Sequence, residues 1–82
     1  MLVEQDPETG ASYITLGEGT VSRTVEVSEL VMVDLDAAGG VVGIEFAAPP
    51  GSSDFTALFE RFPAVRDVLD GVELPLPHRI AG

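Results

Sequence analysis

The chain has 82 residues, with fourteen acidic side chains against four arginines and a formal net charge of -10 at pH 7. A chain this short sustains one hydrophobic core, while 45% apolar residues and a mean hydropathy of +0.29 are too hydrophobic for a disordered acidic tail. Lysine and cysteine are absent, which argues against direct nucleic-acid binding and removes disulfides, thiolate zinc sites and thiol nucleophiles.

The N-terminal MLVEQDPETG has neither the basic nor the apolar region of a signal peptide, and no apolar run approaches the roughly 18–20 residues of a membrane span. The sequence therefore predicts a cytoplasmic protein with no membrane contact. Its charge is uneven. Residues 1–48 hold nine acids against Arg23, net -8, and residues 49–82 hold five against Arg61, Arg66 and Arg79, net -2.

Up to Phe46 the chain alternates short β-branched and aromatic runs with turn residues, as an antiparallel meander does. The expected strands are Leu2 to Gln5, Ser12 to Leu16, Val21 to Val27, Leu30 to Leu35 and Val41 to Phe46. A period of two puts Val25, Val27, Val31, Val33, Leu35, Val42, Ile44 and Phe46 on a buried face. Ser22, Thr24, Glu26, Asp34, Asp36, Gly43 and Glu45 fall on the other. The turn Ala37-Ala38-Gly39-Gly40 pairs Asp36 with Val41 and Asp34 with Gly43. In that register Leu30, Met32 and Val41 make the second face partly apolar.

Breakers follow at residues 47–53. Phe55, Leu58, Phe59 and Phe62 then recur at the spacing of an amphipathic helix, with Ser53 or Asp54 placed to cap it. Pro63 ends or kinks that helix, Val65, Val68 and Leu69 resume the period, and Gly71 supplies a left-handed stop. The two prolines of residues 72–82 predict an extended tail. The fold class is thus α+β in one domain: a meander of four or five strands over 1–48, one kinked or two short helices over 49–71 packed on the sheet, and the tail.

Residues 4–48 resemble the prokaryotic domain of unknown function family 2283. The pieces that carry the resemblance are Asp6-Pro7-Glu8 with Ala11-Ser12-Tyr13-Ile14-Thr15-Leu16, then Thr24-Val25-Glu26-Val27, then Val31-Met32-Val33-Asp34-Leu35-Asp36 running through Gly39 to Val42-Gly43-Ile44-Glu45. The resemblance implies a compact β-rich domain without established activity or catalytic residues. It also implies an antitoxin-like role, since some relatives sit beside small toxin-like proteins.

Chemistry-bearing motifs are few. Asp34, Asp36, Gly39 and Glu45 match positions 1, 3, 6 and 12 of a calcium loop, but Ala38 fails at position 5 and the flanks read as strands rather than helices. A weak divalent-cation site at Asp34, Asp36 and Glu45 is the alternative reading; the leading one assigns no metal and no cofactor. His78, the lone histidine, stands in the tail, and no nucleophile motif or phosphate loop accompanies it. The expectation is a non-enzymatic interaction module, a homodimer or other homo-oligomer that binds a basic protein partner. Its expected interface is Leu30, Met32 and Val41 ringed by Glu26, Asp34, Asp36 and Glu45.

Overall fold

A computed structural model describes residues 2–70. It holds β1 (Leu2–Gln5), β2 (Ser12–Thr15), β3 (Arg23–Glu26), β4 (Val31–Leu35) and β5 (Val41–Phe46), then α1 (Ser52–Arg61) and α2 (Pro63–Asp70). The fold is the α+β arrangement expected from the sequence: a five-stranded antiparallel meander sheet followed by two short helices. Within it the strands lie in the order β1-β2-β5-β4-β3, so β5 pairs back onto β2. The segment from β2 to β3 crosses the end of the sheet, anchored where the Leu16 and Gly17 amides donate to the Val42 carbonyl and the Ser22 amide donates to that of Leu35.

One face of the sheet is apolar because strand alternation and register bring the apolar positions of all five strands to the same side. Val3, Ile14, Ile44, Val33 and Val25 form one row from edge to edge, in register. Ile14, Val31, Val33, Ile44 and Phe46 are fully buried there and join Phe55 and Leu58 of α1 and Val65 and Leu69 of α2 in one cluster. Phe59 and Phe62 pack against the same cluster, while Val68 is 47% exposed.

Helix α1 begins one residue ahead of the expected cap. Gly51 is the N-cap and Asp54 is the third helical residue, its Oδ2 accepting the Gly51 amide at 2.9 Å. The other Asp54 oxygen accepts the Ser28 hydroxyl at 2.9 Å, which ties the start of the helix to the β3–β4 turn. Pro63 opens α2, where its missing donor is harmless, and separates the two helices at Phe62. The stop expected at Gly71, the extended tail and His78 lie outside the described residues.

Two face assignments are corrected. Asp34 pairs with Gly43 as expected, but Leu35 pairs with Val41, so β5 carries an extra residue at Val42. The bulge turns Val41 to the helix side, where it packs against the core; Leu30, in the turn before β4, packs against the same core. Val42, expected in the main core, is buried outside that cluster beneath the crossing segment; a Cβ on Gly19 would sit 3.5 Å from its Cγ2.

Candidate functional site

The helices cover only one side of the sheet. On the other side, register aligns Glu4, Tyr13, Glu45, Met32 and Glu26 in a row across all five strands. A second row holds Leu2, Thr15, Gly43, Asp34 and Thr24. Glu4, Glu26 and Glu45 are exposed, Tyr13, Met32 and Asp34 are half-buried, and Leu2 is 57% exposed. None of the three arginines among the described residues belongs to this face. Arg23 shares the parity of Val25 and Leu35, and Arg61 and Arg66 sit on the helices, their guanidinium carbons each 6.0 Å from the ring centroids of Phe62 and Phe59 respectively.

A hydrogen-bonded bridge organises the centre of the face. Tyr13 on β2 reaches across the intervening β5 and donates its hydroxyl to Asp34 Oδ2 on β4 at 2.6 Å. Thr24 on β3 donates to Asp34 Oδ1, also at 2.6 Å. The crossing requires Gly43, because a Cβ there would collide with Oη and Cζ of Tyr13. Burial, the hydrogen bond to Asp34 and the charges of Asp34 and Glu45 together push the Tyr13 phenol up to about 12. Tyr13 is therefore held as a neutral donor, and both Asp34 oxygens are engaged.

Because the Tyr13 ring leans towards Gly43, the sheet beside it is open. A shallow depression of about 330 Å³ lies there, its wall including Glu4, Gln5, Asp6, Tyr13 and Glu45. A second depression, about 280 Å³, lies on the helical side at Phe59, Pro63 and Arg66. Ser12, 4% exposed, points its hydroxyl to the helix side, where it has no hydrogen-bond partner among the described residues.

The residues singled out from the sequence fare unequally. Glu26, Met32, Asp34 and Glu45 share the open face, whereas Leu30 and Val41 pack against the core. Asp36 is committed to its own turn: its Oδ1 accepts the Ala38 amide at 2.9 Å and the Gly40 amide at 2.8 Å, with Gly39 at φ +89° completing the reversal. Among the described residues no group of three or more His, Cys, Asp or Glu side chains is placed to hold a metal ion. Glu4 and Tyr13 were not among the expected site residues. Alternation in Ser12–Thr15 sets Tyr13 on the face away from Ile14, and the glycine inside β5 marks a close approach, but neither signal joins Tyr13 to Gly43 or singles out Glu4.

No helix among the described residues is long and apolar enough to cross a membrane. No curated protein and no solved structure matches the chain. A family model described as protein of unknown function (DUF2283) matches residues 3–48, the whole of the five-stranded sheet apart from the first residue of β1. With more than half of its length matched, the chain belongs to the DUF2283 family.

Proposed function

We propose that this protein is a non-enzymatic binding module that receives a basic protein surface on the open face of its sheet. The observation that supports this reading is the charge of that face: Glu4, Glu26, Asp34 and Glu45 share it, and no described arginine does. Such a surface steers a cationic partner towards it and penalises an acidic one. Binding is favoured over catalysis because the bridge at the centre is closed on itself, Asp34 accepting two hydroxyls and Tyr13 keeping its proton, while the exposed glutamates stand apart on alternate strands. In this role the chain masks a basic protein, in the manner of an antitoxin, or holds it in an assembly.

The test is titration with a nona-arginine peptide followed by fluorescence anisotropy, at about 50 mM and about 500 mM salt. Added salt is expected to weaken binding steeply, since exposed charges are screened within about 10 Å at 0.1 M. Glu45→Gln should weaken it several-fold and Glu60→Gln, on the helical side, should not. Equal losses for the two variants would mean that the peptide senses net charge alone, and the face would lose its claim.

A further inference from the structure

The acids of the open face are evenly spaced. Along the first row, Glu4, Glu45 and Glu26 stand on alternate strands, with Tyr13 and Met32 on the strands between. Neighbouring strands lie about 4.8 Å apart, so the backbone positions of successive glutamates are about 9.6 Å apart and the outer two about 19 Å. Tyr13 and Met32, both half-buried, give the strands between them apolar surface.

We infer that this row recognises a basic amphipathic helix laid across the strands, with arginine or lysine at every seventh position and small apolar residues between. The inference rests on the basic-partner reading above and adds the shape of the partner. On a helix rising 1.5 Å per residue, positions seven apart are about 10.5 Å apart and return to the same side, so three of them span about 21 Å. That matches the row to about 2 Å over its length, within the reach of flexible glutamate and arginine side chains. The residue midway between two such cations lies over Tyr13 or Met32, where apolar contact is available. An extended partner fits poorly: its same-side residues repeat at about 6.6 or 13 Å, about 3 Å out of step at each interval. The depression beside Tyr13, walled by Glu4 and Glu45, leaves room for the small apolar residue midway between the first two cations.

The experiment uses two helical peptides of about eighteen residues and identical composition, one with arginine at every seventh position and one with arginine at every fifth, so that its charges spiral around the helix. Matched helicity is checked by circular dichroism, and affinities for the full chain are measured by anisotropy at about 50 mM salt. The seven-spaced peptide is expected to bind about tenfold tighter, and Glu45→Gln, at the middle of the row, to remove most of that preference. Equal affinities would overturn the helical partner while leaving the basic-partner reading in place. A preference that survives both Glu45→Gln and Glu26→Gln would place the peptide on another surface and overturn it too. Binding of neither peptide, nor of nona-arginine, would overturn both readings together.

Discussion

Tyr13 and Gly43 depend on one another. The glycine removes the only atom that would block the phenol from crossing β5, and the ring in turn covers backbone that glycine leaves bare. Gly43→Ala is therefore expected to destabilise the fold by about 1–3 kcal/mol through overpacking. Most of that loss should vanish in a Tyr13→Ala background, as a double-mutant cycle read by urea denaturation would report; additive losses would show that the glycine answers to some other constraint. Tyr13→Phe removes the hydroxyl and leaves the ring, with an expected loss of about 1–2 kcal/mol for a hydrogen bond to a charged acceptor. The pH dependence has a definite sign. Folding raises the Tyr13 pKa from 10.0 to about 12, so its contribution is complete below pH 10 and declines as pH rises from there through about 12, the unfolded chain losing that proton first. Denaturation midpoints measured across that window should fall more steeply for the native chain than for Tyr13→Phe, and parallel curves would contradict the assignment. Gly43 was legible in the sequence as an anomaly, a glycine among β-branched residues. Its partner was not, because a four-residue strand names its faces only once its neighbours are known, and β5 as the neighbour of β2 is a long-range choice that local pattern does not encode.

At the scale of elements, legibility follows the length of the alternating or helical run. The Val31–Leu35 and Val41–Phe46 hairpin and the Phe55, Leu58, Phe59 and Phe62 stripe each repeat often enough to fix both type and buried side. The bulge at Val42 escapes such a reading. Two adjacent valines fit either phase of a period-two pattern, and the choice is made by the crossing segment, whose Leu16 and Gly17 amides both take the Val42 carbonyl. That single slip moves Val41 into the core; with Leu30 packed there as well, Met32 is what remains of the apolar part of the expected interface. Helix α1 shows a different kind of hidden information. The sequence offers Ser53 and Asp54 as caps, yet the carboxylate acts from the third position, returning to the Gly51 amide while also holding Ser28. Asp54→Ala breaks both contacts and should lower stability by about 1–2 kcal/mol. Ser28→Ala should account for only part of it, and matching losses from the two variants in thermal melts would mean that the cap itself contributes nothing.

Over the whole molecule the described arginines stay off the open sheet face, which carries four carboxylates, while Arg61 and Arg66 share the helical side with Asp54, Glu60 and Asp67. This polarity bears directly on self-association. A two-fold pair buries the same patch from both copies, so pairing through the open face would set the four carboxylates of one copy against the same four of the other. Like charges brought together in this way oppose assembly by several kcal/mol. The apolar area set against that is half-buried Met32 and Tyr13 and, at the sheet edge, Leu2, since Leu30 and Val41 pack against the core. A basic partner meets the same face without that penalty, so the proposed hetero-complex and a homodimer through this face predict opposite results. Light scattering on a sizing column should accordingly return a mass near 8.6 kDa at about 50 mM salt, where repulsion is least screened. High salt should at most permit weak association, because screening removes the repulsion without adding contact. A dimer that holds at both salt concentrations and is lost on Met32→Ser would show that apolar contact at the centre of the face outweighs its charge, and the face would then be occupied by a second copy of the chain rather than by a cationic partner.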